Sequence, residues 1–249
     1  MSVPTKTIKS IGEYLKLFAD IVSEWSDKHG EIRPWVRGQS DATWPLVPGE
    51  HRAGLLNSDE IRSEFQLKAL PLLRQIPRTE WEWYFLMQHY GLPTRLLDWT
   101  TGSLLGLYFA LRDKTGEKDA AVWIVDPWAL NTSSIGKSDL LLLSDGAADR
   151  YLPKLFDKKA KLPSRPVAIV PPYNSSRITV QRGAFTIHGA EPKGLEQFFT
   201  TRLVRAVIPK DYAMEIKRAL RHAGVGEFTV FPELDGLCRE INAAEIEGC

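Results

Sequence analysis

Apolar residues recur at helical spacing in several stretches of the chain. Ile11, Tyr14, Leu15, Phe18, Ile21 and Val22 line one face of a helix over residues 11–24, with Ser10 as its N-cap and Glu13 closing a capping box. A second helix runs from about Asn57 through Phe65, Leu67 and Leu70 until Pro71 kinks or restarts it. Thr79 and Glu82 form another capping box, for a helix ending at Tyr90. Leu104, Leu107, Tyr108 and Leu111 fall at i, i+3, i+4 and i+7, so one face of that helix is buried. Residues 211–223, closed by Gly224, and 234–246 complete the predicted helices. Residues 32–37 alternate, with Ile32, Pro34 and Val36 on one side and Arg33, Trp35 and Arg37 on the other. Further strands are predicted at 94–98, 120–125, 167–170, 177–187, 203–208 and 228–231, with a bulge or close backbone approach at Gly183. The mixed-charge segment 137–150 reads as an insertion or mobile excursion. Helices dominate the first half and strands the second, which predicts one α+β domain over 1–249 rather than a doubly wound parallel sheet.

The densest chemistry lies in residues 88–101, Gln-His-Tyr-Gly-Leu-Pro-Thr-Arg-Leu-Leu-Asp-Trp-Thr-Thr. Gly91 ends one helix, Pro93 cannot continue it, and Thr100 or Thr101 can cap the next. A buried strand end just before a helix N-terminus is where α/β sheets place ligands. His89, Arg95, Asp98, Trp99 and Thr100 crowd into that corner. Arg95 is a candidate buried partner for Asp98. Asp98 has two readings, a ligand contact or a helix cap. Trp99 reads as core, and His188 stands alone.

Composition adds limits. The chain has 249 residues, 43% hydrophobic and 25% charged, enough to bury a core. A formal net charge of +1 does not point to a strongly basic nucleic-acid binder. Cys238 and Cys249 make neither a metal spacing nor a disulfide framework. No signal core and no long apolar run is present, so a soluble, cytoplasmic protein without a membrane partner or metal cofactor is expected. P-loop, dinucleotide-fingerprint, HExxH and nucleophile-elbow patterns are absent.

Six segments carry a resemblance. Residues 35–39 (Trp-Val-Arg-Gly-Gln), the 44–48 connector with Arg52 behind it, 88–100, 108–110, 181–186 (Gln-Arg-Gly-Ala-Phe-Thr) and 234–237 resemble the FRG domain family, in family order over residues of about 30–240. The family in turn looks distantly similar to the ADP-ribosyltransferase superfamily. That resemblance implies N-terminal helices packed on a mixed, split β-sheet and NAD as substrate. It implies transfer of ADP-ribose to a protein or nucleic acid, in a toxin or anti-phage role with an antitoxin as a further partner. Superfamily order implies Arg37, Asp98 and Gln181 as catalytic residues. It implies NAD contacts from Arg37, Gly38, Gln39, Thr94, Arg95, Trp99 and Thr100. Arg37, Asp98, Thr100 and Gln181 are then expected to line one cleft. Gln181 stands where the superfamily has Glu; an amide bonds a ribose hydroxyl but carries no charge, so Gln181→Glu is expected to raise NAD cleavage, and Asp98 or Glu191 is the alternative carboxylate. Non-catalytic nucleotide or RNA binding, and NAD hydrolysis, are the rival readings.

Overall fold

The computed structural model describes residues 2–26, 30–54, 58–113, 117–152, 161–171 and 179–247. Eight strands form one mixed sheet: β1 (Thr5–Thr7), β2 (Trp35–Gln39), β3 (Leu96–Thr100), β4 (Ala120–Val125), β5 (Leu141–Leu142), β6 (Val167–Val170), β7 (Gly183–Ile187) and β8 (Leu203–Ile208). Their spatial order is β1-β8-β4-β2-β3-β7-β6-β5, antiparallel except for the outer pairs β1/β8 and β5/β6. The described helices are α1 (Ile11–Trp25), α2 (Gly49–Arg52), α3 (Ser58–Ala69), α4 (Glu80–His89), α5 (Ser103–Leu111), α6 (Pro127–Ile135), α7 (Leu195–Phe198), α8 (Lys210–His222), α9 (Glu227–Val230) and α10 (Leu234–Glu247). The fold is α+β, as the pattern predicts.

The sheet is nearly divided. β2 pairs with β4 over five residues and β3 with β7 over five, but β2 and β3 meet only at Val36↔Thr100. Paired residues share a face, and faces alternate along each strand. Val36 packs with Leu107 of α5, Tyr14 of α1 and Ile216 of α8. Leu96, on the same face of the other half, packs with Trp81, Tyr84, Phe85 and Met87 of α4. The opposite face carries Trp35, Leu97, Trp99 and Trp123 against Leu46 and Leu130. Asp98 lies between Leu96 and Thr100 and therefore faces the gap between the α4 and α5 layers. Its side chain is 54% exposed in an otherwise buried strand.

Local signals explain the elements. Ser10 accepts from the Glu13 amide and Glu13 from the Lys9 amide; Thr79 accepts from the Glu82 amide. Helix α4 closes with Leu92 N–H on Met87 C=O and Gly91 N–H on Gln88 C=O, a Schellman pair that needs the positive φ of 83° at Gly91. Gly38 is required by closeness: a Cβ there would sit 2.2 Å from Ala110 N and Gly106 O of α5.

Four expectations change. Residues 228–231 fall on α9 and its C-cap rather than a strand. The segment 137–150 is no excursion: β5 is the sheet edge, and Leu141 and Ala148 join the core beneath α4. The strand predicted at 94–98 is shifted to 96–100, because the Thr94 hydroxyl accepts the Leu96 amide and holds the chain in a turn first. Neither Thr100 nor Thr101 is the α5 N-cap, which is Gly102; the Thr100 hydroxyl accepts the Gly102 amide instead. Arg177 and Ile178 of the predicted 177–187 strand, like Asn57 and Cys249, lie outside the described residues.

Leu107→Ala and Leu97→Ala should each lower stability by about 2–5 kcal/mol, since both side chains are at most 2% exposed. Gly38→Ala should cost a further ~1–3 kcal/mol class of overpacking, because backbone rather than a movable side chain occupies the space. Urea denaturation of the three variants checks both.

Candidate functional site

Where β2 and β3 separate, Arg37 fills the opening. Its Nη1 donates to the Asp98 carbonyl at 2.7 Å and lies 3.7 Å from Asp98 Oδ2. The guanidinium thus takes the ladder position that a strand partner would otherwise hold. Gln88, near the end of α4, donates from Nε2 to Asp98 Oδ2 at 2.8 Å and accepts from the Thr94 hydroxyl. One amide side chain therefore fixes both the carboxylate and the turn that leads into β3.

These groups line a cleft of about 490 Å³ with Gly49, Arg52 and Ala53 of α2 and its end, and with Gly91, Leu92 and Pro93 of the turn. That volume lies in the roughly 300–1,000 Å³ range of small-molecule sites. Arg52 is exposed and makes no ion pair among the described residues. Burial pulls the Arg37 guanidinium below its usual pKa, Asp98 pulls it back up and Arg52 lowers it further. It stays charged in the physiological range. Two cations, Arg37 and Arg52, thus line the cleft against the one carboxylate of Asp98. The pair is unevenly placed: the Arg37 side chain is 18% exposed and that of Asp98 54%.

A buried polar layer supports the cleft from behind. Arg95, 1% exposed, donates to the carbonyls of His188 (3.1 Å) and Tyr151 and pairs with Glu50 at 3.5 Å. The Tyr84 hydroxyl accepts the Arg95 amide at 2.8 Å and donates to Glu50; burial raises its pKa, keeping it a neutral donor. The Glu50 amide donates to the Thr94 carbonyl, which ties α2 to the entry of β3. Arg95 is thus the partner of Glu50 and not of Asp98, and it holds the scaffold rather than facing the cleft. His188 is fully buried, its ring edge-on to His51 at 6.2 Å, and among the described residues neither nitrogen has a partner at ordinary hydrogen-bond geometry. Burial first, then His51, push its pKa down to about 3 against a weaker opposing pull from the Lys193 backbone.

Of the residues expected at the site, the structure brings Arg37, Thr94 and Asp98 to the cleft. The others lie elsewhere. Gly38 packs on α5. Gln39 is 4% exposed and bonds Trp123 Nε1 and the Pro45 carbonyl. Trp99 is core, donating to the Thr186 hydroxyl. Thr100 donates to the Gln181 carbonyl. Gln181 sits in a turn before β7, forced by the positive φ of 47° at Arg182, and its amide donates to the Val230 carbonyl of α9 at 3.3 Å. Glu191 pairs with Lys193 at 2.6 Å and does not line the cleft. The expected convergence of Arg37, Asp98, Thr100 and Gln181 is therefore met by Arg37 and Asp98 alone. Gln88 and Arg52 complete the cleft without having been singled out. Both stand inside or just behind the quoted segments.

A family model supplies the outside comparison: the FRG domain model matches residues 33–119. The chain thus carries an FRG domain match over these residues. Every residue lining the cleft, from Arg37 to Asp98, falls within the matched stretch, whereas Gln181 falls outside it. No curated protein and no solved structure matches the chain. In this FRG domain protein, no group of three His, Cys, Asp or Glu among the described residues is placed to hold a metal ion. No helix among them is long and apolar enough to cross a membrane.

His188 generates a pH prediction. Its folded pKa lies below the unfolded value of about 6.5, so the unfolded chain binds the extra proton and stability falls with pH from about 6.5 toward 3. His188→Phe removes that proton. Between pH 7 and pH 4.5 the wild type should lose about 2–3 kcal/mol more than the variant, measured by urea melts at the two pH values.

Proposed function

We propose that the cleft between β2 and β3 binds NAD and that the protein is an ADP-ribosyltransferase acting on a macromolecular acceptor. The observation that carries this reading is the Arg37 guanidinium lodged in the sheet opening, 3.7 Å from a carboxylate that Gln88 holds and solvent reaches. Arg37 and Arg52 bind the pyrophosphate, a role that suits forked guanidinium donors. Asp98 then faces the nicotinamide ribose. The bond from C1′ to the nicotinamide nitrogen breaks, and its electron pair leaves with neutral nicotinamide. Asp98 stabilises the positive charge left on the ribose, and an acceptor oxygen or nitrogen attacks C1′ and releases its proton. A unit charge at ~4 Å is worth about 4 kcal/mol at an effective dielectric near 20, a useful share of such a barrier. Phosphate binding also occupies Arg37, which frees the Asp98 charge for the ribose. A chain that spends NAD on modifying a protein or nucleic acid suits a toxin or anti-phage effector, held in check by an antitoxin.

One observation favours a second reading. Gln181 is committed to α9, and Asp98 is the one carboxylate lining the cleft among the described residues. A site with a single carboxylate and two arginines also suits non-catalytic binding of a nucleotide.

Incubation with NAD labelled in the adenylate half, with cell lysate present, separates the readings. Transfer places label on a macromolecule, and Asp98→Asn should cut nicotinamide release about a hundredfold. Gln181→Glu should match wild type, because its side chain points to Val230. Asp98→Asn at the wild-type rate overturns the catalytic assignment, and binding of ADP-ribose without any NAD cleavage supports the second reading.

A further inference from the structure

A second cavity, about 680 Å³ and larger than the cleft, lies between α5, α8, α9 and α10 and shares no lining residue with the cleft. Its walls are apolar at Leu111, Leu220, Val225 and Ala243. One side is built from charge. Glu227 accepts from the Tyr108 hydroxyl at 2.5 Å, from Arg112 Nε at 2.9 Å and from Arg239 Nε at 2.9 Å. Both guanidiniums lie against the Phe231 ring, at 4.4 and 5.4 Å from its centre. Lys217 joins them, donating to the Arg112 carbonyl at 3.1 Å.

The charges there do not balance. Besides Arg221, the cations Arg112, Lys217 and Arg239 line the cavity with two carboxylates among the described residues, Glu227 and Glu240. Glu240 accepts the Phe228 amide at 2.7 Å. Burial raises the Glu227 pKa, but Arg112, Tyr108 and Arg239 outweigh it and keep the group ionised. One carboxylate shared by two guanidiniums leaves N–H donors over on both, and the Lys217 ammonium has two more beyond its carbonyl bond. We propose that this cavity is a binding site for a small amphipathic anion, its hydrocarbon body against Leu111, Leu220, Val225 and Ala243 and its carboxylate at Arg112, Lys217 and Arg239. Apolar walls supply affinity through burial, and the excess cations select the sign of the head group. The inference is independent of what the cleft binds.

Decanoate and decyltrimethylammonium, both below their micelle concentrations, test it by titration calorimetry on the full chain. Wild type should bind decanoate at one saturable site and leave the cation unbound. Lys217→Met removes a head-group donor from a half-buried surface position, and Ala243→Trp fills the cavity. Each should weaken decanoate binding about tenfold or more, with circular dichroism confirming that both variants fold. Absence of decanoate binding, equal binding of the cation, or wild-type affinity in either folded variant overturns the proposal.

Discussion

The bond from the Arg37 guanidinium to the Asp98 carbonyl sets the shape of the functional region. Two strands that pair at Val36↔Thr100 would ordinarily continue as a ladder. Instead an arginine side chain occupies the next position, and the strands part around it. A charged group with fixed donors can do this where an apolar one cannot, because it satisfies the Asp98 carbonyl that loses its strand partner. The cost of holding that charge in a partly buried place is visible in its lowered pKa. An anion entering the cleft would offset it, which is the physical reason to regard the opening as a binding site rather than a flaw in the sheet.

What keeps the opening in shape is a second arginine, fully enclosed. Arg95 gathers Glu50, Tyr84 and the Tyr151 and His188 carbonyls into one layer behind the cleft. Removing one partner of such a buried pair costs about 3–5 kcal/mol, because the remaining charge is stranded. The Gln88–Asp98 segment serves both layers at once. Its Gly91 turn brings α4 back toward the sheet, Gln88 and Asp98 face the cleft, and Arg95 faces inward. The FRG match covers this segment and Arg37 together, so the matched stretch and the cleft coincide.

Much of this was legible in the sequence where local rules decide. The N-caps at Ser10 and Thr79, the Gly91 turn and the β-branched run 120–125 each have a local cause, and each formed as read. The errors have tertiary causes. Turn signals bounding the run place Arg95 and Asp98 in one strand, but pairing there starts at Leu96, and Arg95 turns inward to Glu50. Gln181 read as a strand residue beside a glycine; the left-handed Arg182 and the docking of α9 turned it away. Residues 228–231 are apolar and β-branched in part, yet the Gly226 amide bonds the Thr229 hydroxyl and a helical turn forms. Of the site, Asp98 was reachable because it stands in a polar cluster at a strand end just before a helix, and Arg37 through the family resemblance. Gln88 and Arg52 were not, because their role depends on two distant elements meeting.

Equilibrium binding of ADP-ribose bears most directly on the central claim, since that ligand carries the pyrophosphate and cannot be turned over by loss of nicotinamide. Titration calorimetry of wild type, Arg37→Lys and Arg52→Gln, with the melting temperature of each, reads phosphate recognition apart from folding. The account predicts one site in wild type, affinity weakened by about tenfold or more in each variant, and melting temperatures close to wild type. Wild-type affinity in Arg37→Lys, or no ADP-ribose binding by the wild-type chain, would contradict it.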